Sequence, residues 1–252
     1  MDSKARFSGK VDAYVKYRPT YPQAAVDYLY DTVGFTSHSL IADVGAGTGI
    51  FSGLLLERGS SVIAVEPNEP MREAAVAQLG AKSGFRTATG SAEETGLADH
   101  SVDFIVCAQS FHWFDRTLAR AEFKRILRQD DGKAVLIWNT PLTEGTPFRE
   151  GYEQLLLTYG TDYKTVNQKN ILPEALAAFF RPGAMQEVRF ENQQQFDYEG
   201  LCGRLASSSF VPVSGDPKYE PMMAALRTLF EQCQKDGLVN FDYETRLYWG
   251  SL

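Results

Sequence analysis

LIADVGAGTGIFS (residues 40–52) joins a buried-strand run to three alternating glycines and the first turn of a helix. Leu40, Ile41, Ala42 and Val44 suit a strand packed on both faces. Gly45, Gly47 and Gly49 allow a sharp turn and leave no Cβ between the backbone and a ligand. Phe51, Leu54 and Leu55 recur at helical spacing up to Gly59, which reads as the C-cap. A helix that opens beneath such a turn presents free N–H groups to whatever sits there. The stretch therefore reads as a backbone cradle for a nucleotide-like ligand. Its spacing is G-x-G-x-G, whereas dinucleotide binders use G-x-G-x-x-G, which counts against a nicotinamide or flavin enzyme.

On either side of the cradle, strand and helix patterns alternate. SVIAVEP (61–67) is a second buried strand. Residues 68–79 read as a helix, with Asn68 as N-cap, Pro70 in the first turn and Gly80 at the end. RTATG (86–90) and VDFIVCAQ (102–109) are further strands. Asp115 caps a helix whose Ala119, Phe123, Ile126 and Leu127 share a face. KAVLIWN (133–139) is the fifth strand. Repeated β-α-β units call for a doubly wound, Rossmann-like α/β sheet, mostly parallel, with helices on both sides. Beyond Thr140 the rhythm breaks. Helical patterns at 148–159 and 173–180 follow without an intervening strand, so residues 141–182 are expected to form an inserted helical cap. EVRFENQQQFDY (187–198) is a sixth strand, 221–235 an amphipathic helix and FDYETRLYWG (241–250) a seventh strand. One domain over 1–252 is expected, with 1–35 as an N-terminal helical lid.

The 252 residues, 44% apolar and 12% aromatic, fit a globular chain with a full core. A formal charge of −7, with no Lys/Arg cluster, argues against nucleic acid as a partner. MDSKARFSGK carries no apolar secretory segment, and no run reaches the ~18 apolar residues of a membrane span. A cytoplasmic protein, monomer or homodimer, is expected. Three scattered cysteines and three scattered histidines offer neither a disulfide framework nor a metal site.

Polar residues gather where strands end, which is where doubly wound sheets bind ligands. Glu66 ends the second strand, placed to accept both hydroxyls of a ribose; an acid complementing a helix dipole is the plainer alternative. In GSAEE (90–94), the Ala92 N–H and Glu93 carboxylate suit an adenine edge, or a simple loop cap. In AQSFHWFD (108–115), His112 is a candidate general base. Phe111 and Trp113 suit a cationic sulfonium or ordinary packing.

IADVGAGTG, VIAVEPN, GSAEE and VCAQSFHWFD, in this order and spacing, resemble the successive motifs of class I S-adenosylmethionine-dependent methyltransferases. Within them the chain is similar to the small-molecule type 11 group, near trans-aconitate methyltransferase-like proteins. YRPTYP (17–22), LIWNT (136–140) and ASSSFVP (206–212) resemble segments of that subgroup. The likeness is strong over residues 7–140. It implies that Gly45, Gly47 and Gly49 hold the methionine portion of S-adenosylmethionine, Glu66 the ribose, and Pro67, Ala92 and Glu93 the adenine. It places Asp43, Ala46, Ser91 and Trp113 among the cofactor contacts and Gln109 on the path to the acceptor. Tyr14, Arg18 and Tyr21 would fold over the site, with Arg18 pairing a carboxylate. Tyr21, Phe111, Ser207, Ser209 and Phe210 would touch the acceptor, a small molecule that includes carboxylates among its candidates. A carboxylate acceptor needs no base; a hydroxyl, nitrogen or carbon acceptor would turn to His112. A non-catalytic cofactor-binding protein and a nicotinamide-dependent oxidoreductase stand as alternatives.

Overall fold

The computed structural model describes residues 11–161, 163 and 173–252, the side chains of residues 11, 12 and 14 excepted. Among them, β1 (Leu40–Val44), β2 (Ser61–Val65), β3 (Phe85–Ala88), β4 (Phe104–Ala108), β5 (Lys133–Pro141), β6 (Gln186–Phe196) and β7 (Val239–Ser251) form one sheet, in the order β3-β2-β1-β4-β5-β7-β6. The first five strands pair in parallel, and β7 runs antiparallel to both of its neighbours. This is the doubly wound, mostly parallel, seven-stranded sheet that the alternating pattern predicts.

Successive strand residues point to opposite faces, and here both faces are covered. Ile41, Val62, Val106, Val135 and Ile137 pack against Leu29, Val33, Phe51 and Leu55, which come from the N-terminal helices and from α3 (Ile50–Glu57). Ala42, Val44, Ile105, Cys107 and Leu136 pack on the other side against Phe123 and Ile126 of α5 (Arg116–Ile126). The two-sided burial accounts for unbroken apolar runs in place of alternation. The N-terminal helices are α1 (Val11–Tyr17) and α2 (Gln23–Tyr28), the latter continued by a π turn over Leu29–Val33. Asn68 accepts from the Met71 N–H to start α4 (Glu69–Leu79), and Asp115 accepts from the Thr117 and Leu118 N–H groups to start α5.

A third cluster lies past the carboxyl ends of the parallel strands. The pairing of β5 with β7 stops at Pro141 and Tyr243, while β6 and β7 continue together to Phe196 and Val239. Phe241 and Tyr243 on this extension meet Phe148, Tyr152 and Leu156 of α6 (Pro147–Tyr159), Leu201 and Leu205 of α8 (Tyr198–Ala206), and Leu226 of α9 (Tyr219–Cys233). The segment 141–182 is divided between two clusters. Its α6 joins this third one, whereas Leu176 of α7 (Pro173–Ala177), with Phe179 and Phe180, packs in the core on the α5 side of the sheet. Helix α8 is absent from the sequence reading, which extends the sixth strand to residue 198. Asp197 ends that strand by accepting from the Gly200 N–H and capping the new helix. Gly203 lets α1 cross it closely, since a Cβ there would lie 2.1 Å from Tyr17 Cε2. No helix among the described residues is long and apolar enough to cross a membrane.

Candidate active site

The turn after β1 is pinned beneath the end of β2. Gly45 and Ala46 both donate to the Val65 carbonyl, at 2.9 and 3.2 Å. Gly45 is required by crowding: a Cβ would fall 2.5 Å from that of Ser110, whose hydroxyl donates to the Val44 carbonyl at 2.7 Å. Gly47 is different. Its φ is +57° with open space around a Cβ position, and it lines a cavity of about 280 Å³. Of the three glycines of the turn, only Gly47 combines a place in the cavity lining with room for a Cβ.

Glu66 closes the turn. One carboxylate oxygen accepts from the Gly47 N–H and the other from the Asn68 N–H, both at 2.8 Å. The residue is 8% exposed, and burial raises its pKa despite those two donors. A carboxylate offers about four lone-pair directions, so roughly two remain for hydroxyl donors from the cavity. Asp43 lies beneath, fully buried. Ser52 donates to one of its oxygens at 2.6 Å, and the other oxygen has no partner among the described residues. Burial, helped by the neighbouring Glu66 charge, pushes its carboxyl up to about 7.

The next strand ends complete this half. Ser91, Ala92 and Glu93 line the cavity, and Glu93 also accepts from the Asp115 N–H at 2.9 Å, tying the β3 loop to the start of α5. Gln109 takes a left-handed conformation (φ +60°), and its amide donates to the Asn139 carbonyl at 3.2 Å. Asn139 is the staple for the N-terminal segment: its amide donates to the Thr20 carbonyl at 3.1 Å, as does Asn192 at 2.8 Å. Arg18 donates to the Ser207 carbonyl at 2.7 Å. YRPTYP is thus laced across the strand ends.

Beyond His112 the cavity changes character. Phe148, Tyr152, Leu156, Phe210 and Phe241 give it aromatic and aliphatic walls. Set among them is Arg204, 5% exposed, which donates to the Tyr243 hydroxyl at 3.0 Å and to the Ser208 hydroxyl at 3.2 Å, with its guanidinium 5.1 Å from the Phe241 ring centre. Burial pushes the Tyr152 phenol up, opposed by the positive charges of Arg204 and Arg18. Two carboxylates line this half as well. Asp242 receives Arg149 at 2.8 Å, and Glu153 receives the Tyr163 hydroxyl at 2.5 Å.

Arg18, Tyr21, Gly45, Ala46, Gly47, Glu66, Pro67, Ser91, Ala92, Glu93, Gln109, His112, Trp113, Ser209 and Phe210 share this one cavity. Four expected contacts lie outside its lining. Asp43 is under the turn. Gly49 faces α4, where a Cβ would meet Leu79 at 2.7 Å. Phe111 is fully buried, edge-on to Phe179 at 4.6 Å, so its ring fills the core and not the site. Ser207 is fully buried and offers its carbonyl to Arg18. The side chain of Tyr14 lies outside the described ones. His112 is half-buried, and its Nδ1 accepts from the Trp138 indole N–H at 3.4 Å. Burial, together with the charge of Arg18, pushes its imidazole down to about 4.

Arg204 and Tyr152 escape the sequence reading. The signal for Arg204 is an arginine between Leu201 and Leu205 on the buried stripe of a helix, a position where a charge is rare unless it has work there.

Sheet and cavity together define a doubly wound α/β protein with a nucleoside-type cradle at its strand ends. A methyltransferase domain model matches residues 42–136. Over 250 residues the chain is 31% identical to an uncharacterized methyltransferase of Schizosaccharomyces pombe, covering 96% of this chain and 95% of that one. It therefore belongs to the class I S-adenosylmethionine-dependent methyltransferases. Over 139 residues it is 38% identical to an uncharacterized methyltransferase of Mycobacterium tuberculosis; the match covers 55% of this chain and 54% of that protein, so the chain spans about half the length of that relative. Two solved structures share the fold. One, named as a type II methyltransferase of Anaeromyxobacter dehalogenans, is 22% identical over 93% of this chain and 98% of its own, with a TM-score of 0.65. The other, named as a methyltransferase from an antibiotic biosynthesis pathway of Anabaena variabilis, is 20% identical over 95% of this chain and 100% of its own, with a TM-score of 0.63.

Proposed function

We propose that this protein transfers a methyl group from S-adenosylmethionine to the carboxylate of a small molecule with an apolar body, in the manner of the trans-aconitate methyltransferase-like group. The observation that carries the acceptor class is Arg204, a buried guanidinium standing in an aromatic wall of the cavity. A guanidinium pairs with a carboxylate through parallel charged hydrogen bonds. Arg18, Tyr152 and Ser208 add donors on the same side, and Phe148, Phe210 and Phe241 receive the apolar part.

In the other half, the bare backbone at Gly47 and the spare lone pairs of Glu66 fit the cofactor. In this reading the turn at residues 45–48 holds its methionine portion, Glu66 takes the ribose hydroxyls, and Pro67 and Ala92 flank the adenine. The bound cofactor supplies an electrophilic methyl group on a sulfonium. A carboxylate is already ionised at neutral pH, so this chain has no proton to remove. Its task is alignment, which alone is worth roughly 7–11 kcal/mol for well-placed reactants. The segment 17–22, α6 and α8 then exclude water and hold the acceptor in line.

Titration calorimetry with S-adenosylhomocysteine tests the first half, with binding expected for the native chain and lost on Glu66→Ala. Incubation with isotopically labelled methyl donor and the small-molecule fraction of a cell extract, followed by mass spectrometry, tests the second. Methyl esters are the expected products. Label confined to amines or hydroxyls would overturn the acceptor class, and binding without any labelled product would favour a non-catalytic protein.

A further inference from the structure

Trp138 lies on β5 and His112 on the turn after β4, so parallel pairing of neighbouring strands brings their rings together at the strand ends. The indole is 4% exposed and held edge-on by Phe111 at 6.1 Å and Tyr248 at 6.0 Å. An indole N–H only donates. At 3.4 Å it points at His112 Nδ1, which must then present a lone pair. A proton on Nδ1 would set two donors against each other and leave the buried indole N–H unsatisfied. The neutral ring therefore carries its hydrogen on Nε2, and His112 lines the cavity. Arg18 lies near enough to oppose a second proton, and burial acts in the same direction.

We infer that His112 is a hydrogen-bond donor through Nε2–H, locked in that tautomer by Trp138, and that it orients an oxygen of the acceptor instead of removing a proton. A general base needs a lone pair facing the reacting group, and here the lone pair is spent on the indole. The remaining polar edge of the ring gives a donor, which suits a carboxylate and would not activate a hydroxyl or an amine. This inference rests on the acceptor reading given above. It adds a specificity rule: the site works on acceptors that arrive already deprotonated, and His112 helps to choose which of their oxygens faces the methyl group.

The ring's hydrogen can be located directly. With three histidines in the chain, a long-range ¹H–¹⁵N correlation spectrum of the uniformly ¹⁵N-labelled full chain at pH 7, assigned by loss of one pattern in His112→Asn, reports each tautomer. The expected His112 pattern is a protonated Nε2 beside an unprotonated Nδ1, shifting toward a tautomer mixture in Trp138→Phe. Protonated Nδ1, an imidazolium at pH 7, or a pattern unmoved by Trp138→Phe would overturn the inference. Activity gives an independent reading, scored as label incorporated from the methyl donor into the small-molecule fraction of a cell extract. His112→Gln keeps an N–H donor and should stay within about 5-fold of the native chain, while His112→Leu falls further. Base chemistry would instead cost both variants about 10²–10⁴-fold, and equal losses would sink the donor role. Calorimetry with S-adenosylhomocysteine on the same samples separates the outcomes, since failure of the methyltransferase reading abolishes binding and leaves the tautomer pattern as it is.

Discussion

In the glycine-turn half of the cavity, the lining groups are residues 45–48, Glu66 and residues 91–93, all at the ends of the first three parallel strands. In the arginine half they are side chains from the N-terminal segment, β5, α6, α8 and β7, residues far apart in the chain. The first half is built on parallel strands buried on both faces, so its shape follows from the sheet. The second is carried by the overhang of β6 and β7 past β5, and its shape follows from how three helices pack there. This suggests a division of labour. A rigid half suits one ligand common to many enzymes, and a packed-on half suits an acceptor that differs from one enzyme to the next.

If the rigid half depends on buried charge, it should carry a pH signature that the other lacks. Asp43 is ordinary near 3.8 when unfolded and about 7 when folded, so the folded state binds the extra proton. Stability from this group is therefore complete below about pH 4 and lost as pH rises through 7, a swing of up to about 4 kcal/mol. Asp43→Asn keeps an acceptor for Ser52 and removes the swing. Urea denaturation at pH 5 and pH 8 should show the native chain losing more stability than the variant across that interval; parallel curves would refute the assignment. Next in size is Glu66→Ala, which deletes two hydrogen bonds to backbone N–H groups and the proposed ribose contacts. Affinity for S-adenosylhomocysteine should fall by about 100-fold or more, since each bond to a charged group is worth roughly 1.5–3 kcal/mol.

The two glycines of the turn sharpen the contrast inside the rigid half. Gly45→Ala drives a Cβ into Ser110 at a left-handed φ of +70°, and should cost about 2–3 kcal/mol. That is a fall of several degrees in melting temperature for a chain of this size. Gly47→Ala meets no atom within 4 Å and should cost only about 1–2 kcal/mol. Its larger effect should be on cofactor affinity, because the new methyl group enters the cavity. A Gly47→Ala variant that melts lower than Gly45→Ala would reverse the roles of the two positions.

The same contrast explains what could be read from the sequence. Residues 40–52 encode strand, turn and helix start within thirteen positions, and Glu66 and the 90–94 loop follow at strand ends whose positions local pattern fixes. Ligand-facing backbone leaves glycines behind as its trace. Arg204 leaves no such trace. Its setting depends on α8, which is hidden by the β-like run before Asp197, and on Tyr243 and Phe241, about forty residues away on β7. Phe111 misleads for a related reason. An aromatic at a strand end can face the cavity or the core, and only the placement of Phe179 by the chain after α7 decides for the core.

An effect of similar size bears most directly on the second half. Arg204→Met keeps a long side chain against Phe241 and Tyr243 and removes the charge. Buried charges are seldom net stabilisers, and an apolar residue of similar volume often replaces them without loss, so melting temperature should move little. Affinity for S-adenosylhomocysteine should stay within about 2-fold, because the guanidinium stands in the half of the cavity away from the glycine turn. What should change is KM for the acid recovered from the labelled-methyl screen, rising about 10–30-fold for the loss of a charged hydrogen bond of roughly 1.5–2 kcal/mol. The corresponding amide, bound without charge pairing, should lose far less affinity. If Arg204→Met weakens cofactor and acid alike, the two halves are one coupled site and the division of labour fails. If it weakens neither, the guanidinium serves contacts within the chain, among them those to Tyr243 and Ser208, and the carboxylate reading of the acceptor fails.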